Sequence, residues 1–95
     1  MVRYVVLYRF TEQGRRHLKE TVHQSQTIRE INETAGFNVI GIYYTQGQYD
    51  IVAVVEAPSE DAMLTGLFAI AEGGNVVSET LRAFTPEEMQ RAVGP

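Results

Sequence analysis

Apolar and polar positions change period along the chain, and each change marks an element. Residues 3–10, RYVVLYRF, place Tyr4, Val6, Tyr8 and Phe10 on one face and Val5, Leu7 and Arg9 on the other. The segment is rich in aromatic and β-branched types, which predicts a strand whose two faces are both largely apolar. From Glu12 to Ala35 the period lengthens: Leu18, Val22, Ser25, Ile28, Ile31 and Ala35 recur at three- and four-residue steps. This predicts one long, rather polar helix with a narrow apolar stripe, closed by Gly36. Residues 37–46, FNVIGIYYTQ, return to alternation, with Phe37, Val39, Gly41 and Tyr43 on one side and Ile40, Ile42 and Tyr44 on the other. A short turn over Gln46 to Gln48, centred on Gly47, leads into a third strand at residues 49–57, YDIVAVVEA, and the two strands form an antiparallel hairpin.

Pro58 stops that strand. Ser59 is a suitable N-cap, and Glu60 and Asp61 sit in the positive first turn of a second helix. Met63, Leu64, Leu67, Phe68, Ile70 and Ala71 give it a broad apolar face, so it is expected to be the better buried of the two, ending at Gly73-Gly74. A fourth strand follows at residues 75–84, NVVSETLRAF. Beyond it Thr85, Pro86 and Glu88 spell a capping box with proline at the first helical position, and Phe84 and Met89 occupy the positions of a hydrophobic staple. A short C-terminal helix should therefore fold back beside the strand end.

The order is β-α-β-β-α-β with one extra helix. Right-handed crossovers then imply an α+β, ferredoxin-like domain spanning residues 1–95: a four-stranded antiparallel sheet, two covering helices and a short C-terminal helix. In that topology the first and third strands are central. Helices on one face leave the other to water, yet Val5, Leu7, Val52 and Val54 are apolar too. The open face is thus expected to pack on another copy, giving a homodimer or higher homo-oligomer that encloses a pocket between two sheets.

Composition narrows the class without changing it. The 95 residues are 44% hydrophobic and 21% charged, ordinary for a folded domain. Net charge is −4, and the basic stretch at residues 14–19, GRRHLK, is followed by acids on the same segment, so nucleic acid is not an expected partner. No apolar run approaches the roughly 20 residues needed to span a bilayer, and no signal peptide pattern opens the chain. No membrane is expected and a cytoplasmic location is. Cysteine is absent, which removes disulfides, thiolate metal sites and a cysteine nucleophile.

Three blocks, RYVVLYRFTEQG, GQYDIVAVVEAP and GNVVSETLRAFT, resemble in sequence and order the GYD-domain family, named for its glycine, tyrosine and aspartate. The resemblance covers most of the chain and is weakest over HLKETVHQSQTIREINE. It implies a ferredoxin-like fold of the dimeric α+β barrel kind, and maps the naming residues to Gly47, Tyr49 and Asp50, with Gln48 interposed. It brings no established reaction and no catalytic residues.

Each candidate residue also has a plainer reading. Gly47 suits a turn that needs positive φ. Tyr49 and Asp50 are adjacent on a strand, so their side chains are expected on opposite faces; if Asp50 follows Val52 and Val54 toward the helices it would anchor the turn, and Tyr49 then faces a pocket with Ile51 and Ala53. Arg82 and Arg9 could hold a ligand carboxylate, though an ion pair at an edge or interface, with Glu79, Asp50 or a neighbouring subunit, is favoured. Tyr4, Tyr8, Tyr43, Tyr44 and Tyr49 all fall on predicted strands, where packing explains most of them and a tyrosine-lined pocket the rest. His17 and His23 stand about 120° apart around a helix and do not converge on a metal. The single Glu20 to His23 Glu-x-x-His spacing lacks the second copy that a di-iron site needs. No phosphate loop or nucleophile elbow occurs, and EGGN at residues 72–75 joins helix to strand, the wrong order for a phosphate cradle. Neither cofactor nor metal is expected.

Three functions follow as expectations. The first is a module, leaning away from enzymatic activity, that binds a small apolar or aromatic ligand or a partner chain at the open face, with Tyr8, Tyr49, Asp50 and Arg82 as tentative ligand residues. The others are a cofactor-free oxygenase or isomerase in the barrel pocket and a structural assembly subunit.

Overall fold

The computed structural model describes residues 1–95, the side chains of Ser25 and Gln26 excepted, so that Ser25's place in the helical stripe lies outside the described side chains. The elements are β1 (Val2–Phe10), α1 (Glu12–Arg16), α2 (Leu18–Thr34), β2 (Asn38–Tyr44), β3 (Ile51–Ala57), α3 (Glu60–Gly73), β4 (Val76–Arg82) and α4 (Pro86–Val93). The strands form one antiparallel sheet in the order β2-β3-β1-β4, the ferredoxin-like arrangement, with β3 and β1 in the centre.

One face of the sheet carries the core. Tyr4, Val6, Val39, Ala53, Val55 and Ala57 are buried there with Met63 of α3, and Val2, Tyr8, Phe37, Ile42 and Leu67 pack around them. The small residues Ala53 and Ala57 fall on the covered side, where they leave room for a helix to approach. Val52 and Val54 therefore point away from the helices, on the open face with Val5 and Leu7, and the arrangement in which Asp50 follows them toward the helices does not form.

The single long helix predicted over Glu12 to Ala35 is two helices with a break at His17, whose φ of −118° and ψ of 38° leave the helical region. The cause is a tight docking of α1 on the α3–β4 connection. The Thr11 amide donates to the Asn75 carbonyl at 3.0 Å, the Thr11 hydroxyl to the Gly74 carbonyl at 2.6 Å, and the Gln13 amide to both Gly73 O and Asn75 Oδ1. Gly14 makes this possible: a Cβ there would lie 2.1 Å from the Asn75 carbonyl oxygen. Having met that loop, the chain must turn before it can run back along the sheet.

α2 is tied to β2 by Arg29, which donates to the Val39 carbonyl at 3.0 Å and pairs with Glu33 at 3.3 Å. Its stripe of Leu18, Val22, Ile28 and Ile31 is nonetheless exposed. α3 is the better buried helix, as expected, but only Met63 is fully covered; Leu64 and Phe68 face outward.

A bulge between Val39 and Gly41 leaves Ile40 unpaired in β2. Strict alternation would have opposed Val39 and Ile42, and the extra residue puts both against the core. The β2–β3 connection runs over Thr45 to Asp50, longer than the expected three-residue turn, with Gly47 at a φ of 111° that an L side chain rarely adopts. The Thr85 capping box forms as read, with Glu88 N to Thr85 Oγ1 at 3.1 Å and Thr85 N to Glu88 Oε1 at 3.0 Å, and α4 buries none of its residues.

Candidate functional site

With α3 packed on the Tyr4/Val6 side, the opposite face of the sheet is the candidate site. Strand register assigns its central positions: Val5 opposes Val54 and Leu81, and Leu7 opposes Val52 and Glu79. Val77 lies beside Arg9 on β4, and Tyr43 beside Val52 on β2. Val77, Leu81 and Tyr43 are exposed. Tyr43 lies across Gly41, where a Cβ would come within 2.8 Å of its ring. The result is an apolar floor two to three residues long across four strands.

Polar groups close both ends of this floor. At one end the Tyr49 hydroxyl donates to Glu79 Oε2 at 2.6 Å, reaching over β1, and the Arg9 guanidinium stands 5.8 Å from the centre of the Tyr49 ring. The hydrogen bond to Glu79, more than partial burial, holds the Tyr49 phenol above its ordinary pKa, while the charge of Arg9 pulls it back. At the other end Arg3 pairs with Glu56 across β1 and β3 at 3.0 Å, and Asn38 donates to the second Glu56 oxygen at 2.9 Å. The hydrogen bonds from Asn38 and then Arg3 hold Glu56 below the usual carboxylate range.

The residues singled out from the sequence do not gather at one point. Tyr8 lies on the covered face between Ile51 and Ser78, and burial pushes its phenol up to about 12. Tyr49 is on the open face, not beside Ala53, because the chain leaves the β3 alternation before it reaches residue 49. Asp50 spends its carboxylate on the backbone: Oδ2 accepts the Phe10 amide at 2.8 Å while the Asp50 amide donates to the Tyr8 carbonyl at 2.8 Å. Thr45 secures the other side of this turn through Asp50 O and Tyr49 O.

Arg82 sits at the far end, opposite Tyr4. It donates to the carbonyls of Arg3 and Ala83 and stacks 4.5 Å from the Phe84 ring centre, with neither Glu79 nor Asp50 as a partner. Glu79 is the residue whose part the sequence reading undervalued. Its place between Val77 and Leu81 on the same face of β4 was the available signal.

Two surface concavities lie off the sheet face, one along α4 at Glu87, Gln90 and Arg91, the other at the α1–α2 break between His17, Glu20 and Asn75. Among the described residues no group of three His, Asp or Glu side chains is placed to hold a metal ion, and no helix is long and apolar enough to cross a membrane.

The model of the GYD domain matches residues 4–93. No curated protein matches the chain. Among solved structures, the crystal structure of the mycobacterial protein MtbAldR superposes with a TM-score of 0.68 at 12% identity, over 88% of this chain and 52% of that one. At that identity the likeness speaks to the fold alone, and this chain accounts for about half the length of the protein it resembles. The family match spans the hairpin with Gly47, Tyr49 and Asp50, the β1 segment and the β4 segment together, and the chain belongs to the GYD-domain family.

Proposed function

We propose that this domain is a homo-oligomeric binding module: its open sheet face packs on a second copy, and the space between the two sheets takes a small apolar or aromatic ligand. The observation that carries the reading is the floor of Val5, Leu7, Val52 and Val54, continued by Val77, Leu81 and Tyr43 and interrupted on β4 by Glu79, which holds the Tyr49 hydroxyl. Apolar surface in a contiguous patch with a few placed polar groups is the usual make-up of an interface or ligand site. Tyr49 supplies both ring area and a hydroxyl, the hydroxyl held in place by Glu79.

Sedimentation or light scattering at micromolar concentration tests the association, and a Val52→Asp variant tests the face. A dimer that becomes a monomer with an unchanged far-ultraviolet spectrum supports the reading; a strictly monomeric wild type ends it. Thermal-shift screening against aromatic metabolites tests the ligand. Absence of any stabilisation in a confirmed dimer would leave a structural assembly subunit as the better description.

A further inference from the structure

Two charges of the open face, Arg9 and Glu79, make no ion pair among the described residues, whereas Arg3 and Glu56 are paired with one another. Strand register sets the unpaired two on a diagonal. Arg9 lies opposite Val77 and Glu79 opposite Leu7, so the exposed Val77 side chain stands beside both. Diagonal neighbours on antiparallel strands are roughly 7–8 Å apart.

Tyr49 touches both charges and neutralises neither. Its hydroxyl donates to Glu79 Oε2 at 2.6 Å, and its ring centre lies 5.8 Å from the Arg9 guanidinium carbon. That hydrogen bond holds the phenol above its ordinary pKa, so near neutral pH the hydroxyl remains a donor. Among the described residues Glu79 Oε1 and the Arg9 N–H groups have no hydrogen-bond partner in the chain, and both side chains are exposed.

Water satisfies these groups while the face is open. A molecule laid on Val77 and Leu7 displaces that water, and a charge deprived of water without a new partner is costly. A purely apolar molecule leaves both charges unpaired. An anion pairs with Arg9 but meets Glu79, and a cation pairs with Glu79 but meets Arg9. An uncharged group with an acceptor and a donor side by side satisfies both, so the pair selects by penalising the alternatives. The diagonal gap admits one hydrogen bond of about 2.9 Å from each side with such a group between them.

We propose, resting on the open-face ligand reading above, that Arg9, Glu79 and Tyr49 form a recognition site for an uncharged aromatic molecule with a carboxamide or lactam edge. Its carbonyl accepts from Arg9, its N–H donates to Glu79, and its ring lies on Val77 beside Tyr49.

Four benzenes of similar size and different charge test this by NMR titration of the whole chain: benzamide, benzoate, benzylammonium and toluene. Benzamide should bind at least about five-fold more tightly than each of the others, with shifts centred on the Val77 methyls and the Arg9 side chain. Glu79→Gln should raise benzoate affinity about five-fold by removing the like charge, and Arg9→Gln should do the same for benzylammonium. Both positions are exposed, and an unchanged far-ultraviolet spectrum checks that the variants fold. Equal binding of all four, or toluene ahead, overturns the polar site while leaving an apolar ligand face standing. Benzoate or benzylammonium ahead of benzamide on the wild type overturns the ligand class, and so do shifts centred away from Val77. Binding of none of the four overturns the site, while sedimentation decides the association of the chain separately.

Discussion

Gly14→Ala should destabilise this protein, although the same change inside a helix ordinarily stabilises it by up to about 1 kcal/mol. Gly14 is buried inside α1, and an added Cβ would stand 2.1 Å from the Asn75 carbonyl oxygen, 3.0 Å from its carbon and 3.3 Å from its Cα. All three are backbone atoms, so no side chain can swing aside, and α1 must retreat from the loop by about an ångström or more to reach ordinary contact distance. That movement stretches the Thr11 amide bond to Asn75, now 3.0 Å, and the Thr11 hydroxyl bond to Gly74, now 2.6 Å, together with the two bonds of the exposed Gln13 side chain. At about 1 kcal/mol net for each of the two Thr11 bonds, and less for the exposed pair, roughly 2–4 kcal/mol is lost against the propensity gain. The expected net is about 1–3 kcal/mol, seen as a fall of about 1–2 M in the urea midpoint with the slope unchanged. Gly73→Ala is the control. It lies in α3 with no atom within 4 Å of its added Cβ and should be neutral or stabilising. A Gly14→Ala protein as stable as the wild type would refute the claim that the α1 docking against Asn75 breaks the helix at His17.

Three further outcomes are expected. Tyr8 has its phenol raised from 10.0 to about 12 by burial, so the folded state holds that proton more tightly than the unfolded chain. Its contribution is complete below pH 10 and lost as pH rises through 12, and a Tyr8→Phe variant should lack that alkaline slope in denaturant titrations. Asp50→Asn should cost about 1 kcal/mol and Asp50→Ala more, because the Phe10 amide loses a charged acceptor and then any acceptor; faster hydrogen exchange at Phe10 is the specific readout. Thr85→Ala removes the hydroxyl that accepts the Glu88 amide and leaves the Thr85 amide bonded to the Glu88 carboxylate, and α4 buries nothing, so about 1 kcal/mol of local helix stability should disappear from α4 amide exchange with little change in the global unfolding midpoint.

Strand order and element types were readable because their signals are local or periodic: the alternation of β1, the Ser59 cap, and the Thr85-to-Glu88 box that forms as its spacing states. The break at His17 was not, since it depends on the Asn75 carbonyl, 61 residues after Gly14 and silent in any local pattern. The assignment of faces failed for another reason. Alternation divides β3 into Ala53/Val55 and Val52/Val54 without saying which set a helix covers, and the smaller side chains were the clue. At the site, Tyr49 and Asp50 precede β3, so the turn and not strand alternation places them. Asp50 binds backbone, Tyr49 crosses β1 to Glu79, and Arg82 lies at the opposite end of the sheet from both.

The bulge at Ile40 works as a frame shift in the strand. It carries one residue more than its partner needs, and every residue after it is displaced by one relative to the faces of the sheet. Removing Ile40 would therefore join Val39 to Gly41 with both halves of β2 still facing as they do now, whereas removing a residue elsewhere in the strand would turn Ile42 outward or bring Tyr43 inward. Length variation in this strand has one position where it leaves the core and the open face undisturbed.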